Sequence, residues 1–161
     1  MGPVFHGITF IYNSAQVGGG VYLTGSGTSI TIIRDQSGAI TQVQNPTTFD
    51  GCTFIGNVAE ATGGAVDSSA GRDSFRKSWF EKNSAAVGGA LRLAGEASLY
   101  KCLFVDNVSG FDKGPAVSNI GFISNVTDNI FRGNVFSCDP GMYLIFKVFL
   151  VVPSIIFPSR I

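Results

Sequence analysis

Residues 49–66 read FDGCTFIGNVAEATGGAV, and residues 75–91 read FRKSWFEKNSAAVGGAL. Laid over one another, the two stretches place Phe49 on Phe75, Cys52 on Ser78, Phe54 on Phe80, Asn57 on Asn83 and Ala59 on Ala85. With one residue fewer before the glycines, Gly64-Ala65-Val66 then falls on Gly89-Ala90-Leu91. Self-similarity at a short period marks a repeat architecture and is weighed before any local propensity. Outward from this pair, a Phe three residues before an Asn recurs as Phe10/Asn13, Phe104/Asn107 and Phe131/Asn134, with intervals of 44, 26, 24 and 27 residues between the five asparagines. The long interval divides into 22 plus 22 if Ile30-Thr31-Ile32-Ile33-Arg34-Asp35 is a degenerate copy of Ile8-Thr9-Phe10-Ile11-Tyr12-Asn13, which makes six units. A hairpin inserted between Thr24 and Asn45 is the competing reading.

Further columns keep the same register. Eight residues before the Asn stand Phe5, Phe49, Phe75, Leu99 and Val126; five before it stand Ile8, Ile30, Cys52, Ser78, Cys102 and Asn129. The apolar stretches are short and alternate with period two, as in Ser98-Leu99-Tyr100-Lys101-Cys102-Leu103-Phe104, which is a strand pattern and not an amphipathic helix. A unit of this length cannot bury its apolar side alone, but stacked coils bury it against their neighbours. The expectation is an all-β fold, a right-handed parallel β-helix of about six coils over residues 1–144, with residues 145–161 as a hydrophobic C-terminal tail. Phe10, Phe54, Phe80, Phe104 and Phe131 are expected to form an interior stack, and Asn13, Asp35, Asn57, Asn83, Asn107 and Asn134 a ladder. That ladder is placed at a corner, where a small amide tolerates left-handed backbone. Cys52 and Cys102 share a column with Ser78 between them, so they lie about 10 Å apart and cannot bridge. Phe5 already occupies an interior column, so the solenoid reads as a piece of a longer one.

The pairing of Phe-x-x-Asn with Gly-Gly-Ala-aliphatic, in Phe54-Ile55-Gly56-Asn57 with Gly63-Gly64-Ala65-Val66 and again in Phe80-Glu81-Lys82-Asn83 with Gly88-Gly89-Ala90-Leu91, resembles the repeats of the polymorphic outer membrane protein family. More broadly it is similar to the pectin lyase-like β-helix. The resemblance covers residues 5 to 144 and implies a surface-displayed, often adhesive passenger at the cell surface or outside the cell. The regular repeat without a polar catalytic cluster reads as a non-catalytic segment, acting as a spacer or as a binding surface for a polysaccharide or a surface protein. The scaffold also carries polysaccharide lyases and epimerases, so a carbohydrate-active enzyme is the alternative, and the shared scaffold does not choose between them.

Composition bounds the rest. With 161 residues the chain suits one domain, and 11 Lys+Arg against 11 Asp+Glu, without a basic run, exclude nucleic acid as a partner. Three cysteines lack the paired spacing of a zinc site, and no metal or cofactor is expected. Met1 to Tyr12 shows no secretory signal, and Met142 to Phe157, broken by Lys147 and Pro153, falls short of the roughly 20 residues that span a bilayer. Membrane association would run only through the tail, which reads as a cap, an anchor or a boundary artefact.

Acid and base chemistry on sugar acids needs clustered charge on adjacent strands, and neither the lone His6 nor Asp67, Asp73, Glu81 and Asp106 forms a shared column. No catalytic residue is assigned. Should the chain be an enzyme, its cleft would lie around Asp67, Arg72, Asp73, Lys77 and Arg92. The candidate glycan contacts are Arg72, Asp73 and Lys77, the densest charge, with Trp79, which should point outward four residues before its Asn. The column two before the Asn, with Ile11, Ile33, Ile55 and Val105, is expected to be an exposed apolar stripe. Two glycosylation sequons occur, Asn107-Val108-Ser109 and Asn125-Val126-Thr127; the first falls in the interior ladder, so Asn125 is the acceptor if the chain is secreted.

Overall fold

Each short alternating run becomes a strand, and each strand ends where a turn residue bends the chain onto the next side of a coil. The computed structural model describes residues 3–24, 29–32, 39–42, 47–69, 71–110, 114–138 and 142–144. The first coil runs through β1 (Val4–His6), β2 (Thr9–Ile11), β3 (Ser14–Val17) and β4 (Val21–Thr24), and is followed by β5 (Ser29–Ile32) and β6 (Ala39–Gln42). The second comprises β7 (Thr47–Asp50), β8 (Thr53–Ile55), β9 (Val58–Thr62) and β10 (Val66–Ser68). The third comprises β11 (Arg72–Arg76), β12 (Trp79–Glu81), β13 (Ser84–Ala85) and β14 (Leu91–Leu93). The fourth comprises β15 (Glu96–Tyr100), β16 (Leu103–Val105), β17 (Val108–Ser109) and β18 (Val117–Asn119). A fifth follows β19 (Phe122–Thr127), β20 (Ile130–Arg132) and β21 (Val135–Cys138), then turns back into β22 (Met142–Leu144). Among the described residues there is no helix.

Stacking the coils builds four sheets. The first holds β1-β7-β11-β15-β19 and the second β2-β8-β12-β16-β20, all parallel. The third runs from β3 through β9, β13 and β17 to β21 and closes on antiparallel β22; the fourth joins β4, β10, β14 and β18 and extends past β4 through antiparallel β5 and β6. This is a parallel β-solenoid.

The coil count therefore differs from the six units expected. Strands β5 and β6 pair antiparallel with each other and β5 with β4, forming no coil of their own, and β2 pairs directly with β8. Asn13 donates to the side-chain oxygen of Asn57 at 2.9 Å, which leaves no rung between them for Asp35. Asp35 itself, Ile33 and the tail 145–161 lie outside the described residues.

Two aromatic columns fill the interior. Phe10, Phe54, Phe80, Phe104 and Phe131 stack face to face with successive centroid distances of 4.7, 4.9, 4.7 and 4.8 Å and interplanar angles of 4–6°. Phe5, Phe49 and Phe75 form a second stack at 5.1 Å per step, continued by Leu99 and Val126 in register. The two columns meet edge to face, Phe49 on Phe54 and Phe75 on Phe80, at 5.8 and 5.9 Å. Stacked and edge-to-face ring pairs at these centroid distances fall in the range where aromatic contacts are favourable.

A buried amide ladder runs beside the rings. The side-chain oxygen of Asn83 accepts from the backbone N–H and the side-chain amide of Asn57, both at 3.0 Å. The Asn83 amide in turn donates to Asn107 Oδ1 and back to the Phe54 carbonyl. The same set recurs at Asn107, reaching Asn134 and Phe80. In each of these rungs the buried amide finds partners for both of its ends, the condition on which a polar group is tolerated in a core.

The backbone assignment of this corner needs correction. The left-handed residue is not the Asn but its predecessor, Tyr12, Gly56, Lys82, Asp106 or Gly133, with φ between 52° and 65°. The bend one residue earlier turns the Asn side chain inward, so Asn serves here as an interior hydrogen-bonding group. At the glycine corner close approach decides: a Cβ on Gly89 would lie 2.1 Å from the Pro115 carbonyl oxygen of the next coil.

Candidate functional site

Side chains that do not point inward define the outer faces, and that of the first sheet carries two adjoining depressions. Phe49, Phe75 and Leu99 point in, so their neighbours point out. Thr48, Ser74, Ser98 and Asn125 are aligned across four coils, with Asp50, Arg76, Tyr100 and Thr127 aligned beside them. The result is a shallow groove of about 290 Å³ lined by Ser74, Arg76, Ser98, Tyr100 and Asn125. A hollow of about 200 Å³ shares Ser74 and Ser98 with it and extends to Arg72, Glu96 and Ser124. The floor is small and hydroxyl-bearing, and Ser98 donates to Ser74 at 3.1 Å.

Charge is arranged along the rims. Arg72 pairs with Glu96 at 2.8 Å, and His6 faces Asp50 at 3.4 Å. Both Arg76 and Lys101 lie over the Tyr100 ring, 5.9 and 5.1 Å from its centre; a side-chain hydrogen bond with Tyr100, then the charge of Tyr100 and Asp128, holds the Lys101 ammonium above its ordinary pKa. Among the described residues no carboxylate lies within ion-pair distance of Arg76. The groove thus offers hydroxyls, a phenol face and a cation free to meet an anionic group.

The residues singled out from sequence do not form one site. Arg72 faces outward at the edge of the hollow, and Lys77 sits exposed in a left-handed corner with φ 49°. Trp79 is 43% exposed on the outer face of the second sheet, in register with Thr53 and Leu103. Asp73 points into the core, only 3% exposed, and is not presented to a surface ligand. Period-two alternation contained that answer, since Asp73 is two residues from inward Phe75. Asp67 is also buried, ion-paired to Arg92 at 3.3 Å on the fourth sheet, whereas Arg72 belongs to the first. The stripe expected two residues before the Asn is broken: Ile11 is exposed, Ile55 half-buried and Val105 only 3% exposed, with Glu81 and Arg132 in the same column.

Buried Asp73 has a measurable consequence. Ser68 donates to one carboxylate oxygen, while the other has no hydrogen-bond partner. Burial, only partly offset by Ser68, raises its pKa to about 6. Below about pH 4 the carboxyl is neutral in folded and unfolded chains alike; between roughly 4 and 6 only the unfolded chain ionises, so stability falls as pH rises. Above about 6 the loss is complete, on the order of 3 kcal/mol. Asp67 is raised in the same direction by burial, against the pull of Thr62 and Arg92. Thermal melts should therefore show Asp73→Asn gaining stability at neutral pH and losing most of the slope between pH 4 and 6.

A second polar column was visible in the alignment but not its role. Cys52, Ser78, Cys102 and Asn129 each donate to the carbonyl of the preceding coil, from Phe5, Phe49, Phe75 and Leu99 at 3.3, 3.4, 3.4 and 3.0 Å. Both thiols are buried and unbridged, and burial raises the Cys102 pKa to about 11, far from a reactive thiolate. Among the described residues no group of three or more His, Cys, Asp or Glu is placed to hold a metal ion. Comparison with known proteins finds no matching family model, no similar curated protein and no similar solved structure.

Proposed function

We propose that the chain is a non-catalytic β-helix segment of a surface or extracellular protein, and that it binds a glycan along the outer face of the first sheet. On this reading the coil is the right-handed, pectin lyase-like type, with repeats akin to those of polymorphic outer membrane proteins; the recurring Phe-x-x-Asn and Gly-Gly-Ala motifs support that placement. The observation that carries the ligand class is the groove itself. Ser74, Ser98 and Asn125 supply donors and acceptors at the strand spacing, Tyr100 a face on which a sugar ring stacks, and Arg76 a charge for a carboxylate or sulfate. Small hydroxyls with an adjacent aromatic match a ligand that is polar at its edges and apolar on its ring faces.

The reading is tested by calorimetric titration of uronate-containing and neutral polysaccharides. Saturable binding of an acidic glycan is expected, weakened about tenfold by Arg76→Ala and by Tyr100→Ala, which corresponds to roughly 1.4 kcal/mol each. Neither variant should lower the melting temperature by more than a few degrees. Absence of binding to any glycan would remove the proposal. Shortening or epimerisation of the bound polymer would replace it with the carbohydrate-active enzyme.

A further inference from the structure

The two sequons occupy opposite environments. Asn107 is fully buried, and its amide nitrogen donates both to the Phe80 carbonyl and to Asn134 Oδ1, each at 2.9 Å. No room or free N–H remains there. Asn125 is exposed on the outer face of β19, in register with Ser98. The Thr127 hydroxyl, third residue of its sequon, donates to Asn125 Oδ1, while among the described residues the Asn125 amide nitrogen has no partner. The hydroxyl and amide that a glycosyl transfer must engage together are thus already in contact at the surface.

Backbone context points the same way. Among the described residues β19 is the last strand of the first sheet and pairs with β15. A register shift opposite Ala97/Ser98 leaves Ser124 as an extra residue directly before Asn125, a β-bulge that locally interrupts the ladder. A bulged stretch, with its ladder interrupted, can release a sequon at less cost than a regularly paired one.

We propose that Asn125 is an N-glycosylation site, modified by a membrane transferase that uses a lipid-pyrophosphate-linked oligosaccharide. The Asn125 amide nitrogen forms a bond to the anomeric carbon of the first sugar, and the carbon–oxygen bond to the pyrophosphate breaks. The lipid pyrophosphate leaves with that electron pair, and the proton lost from the amide nitrogen passes to a base of the transferase. The inference rests on the extracellular reading for its occurrence in the native setting. A glycan on Asn125 would fill one end of the groove, so the binding titration calls for unmodified chain.

The test sends the full chain into the lumen of glycosylating animal cells behind an added cleavable signal, and reads peptide masses from all lumenal protein before and after peptide-N-glycosidase. The expected result is one glycan, removed with conversion of Asn125 to aspartate, and its loss in both Asn125→Gln and Thr127→Ala. A lumenal chain whose Asn125 peptide is unmodified, or one carrying its glycan at Asn107 with Asn125 bare, would overturn the proposal. Because the added signal supplies the compartment, either result leaves the glycan-binding reading to its own titration.

Discussion

Replacing Asn83 with alanine is expected to unfold the chain or leave it barely folded at room temperature. The substitution removes the acceptor of two buried donors, the Asn57 backbone N–H and side-chain amide, and the donor that satisfies the Phe54 carbonyl. Buried groups left without partners cost roughly 1–3 kcal/mol each, and a domain of this size has about 5–15 kcal/mol in all. The backbone N–H at position 83 would still reach Asn107 Oδ1, so the loss concentrates on the coil that precedes it. Asn83→Asp is expected to be nearly as damaging: it restores the acceptor but carries no N–H for Phe54 or Asn107, and it buries a charge. Urea unfolding followed by circular dichroism gives the comparison. A loss under about 1 kcal/mol for Asn83→Ala would mean that the ladder is not a major source of stability.

The second large effect belongs to Phe80. Its ring is fully buried, stacked on Phe54 and Phe104 and met at its edge by Phe75, so truncation to alanine opens a cavity that rigid coils above and below cannot close. A loss of roughly 3–5 kcal/mol follows for Phe80→Ala, with Phe80→Leu costing less than half as much. The adjacent Trp79 provides the contrast, because it lies on the other face of the same strand and is 43% exposed. Trp79→Ala should cost under about 1 kcal/mol. Equal losses at positions 79 and 80 would contradict the assignment of inner and outer faces.

These contrasts show what the residue pattern could and could not disclose. Interior columns were legible because burial selects the same residue type on every coil: five phenylalanines and five asparagines recur in fixed register, and the coordinates superpose them. The insertion was ambiguous because Ile30-Thr31-Ile32 alternates just as Ile8-Thr9-Phe10 does, and alternation alone does not distinguish a parallel coil strand from one arm of an antiparallel hairpin.

The outer faces were less legible for a physical reason. Ser74, Ser98 and Asn125 become a groove floor only through stacking, and nothing in their local sequence distinguishes them from other solvated strand residues. The charge of Asp73 suggests the surface while its place in the alternation sets it inside, where a carboxyl is held because the Ser68 hydroxyl donates to it and its pKa rises. The left-handed corner was placed one residue late, since Lys82, Asp106 and Tyr12 adopt positive φ without a glycine to announce it.

Superposition of consecutive coils is tested most directly by proton–proton Overhauser contacts between aromatic rings in a chain carrying selectively labelled phenylalanine. Contacts should link Phe10 to Phe54, Phe54 to Phe80, Phe80 to Phe104 and Phe104 to Phe131, and Phe80→Leu should abolish the second and third while the outer two persist. Rings that contact in another order, or that show no chain of contacts in the folded protein, would contradict the solenoid.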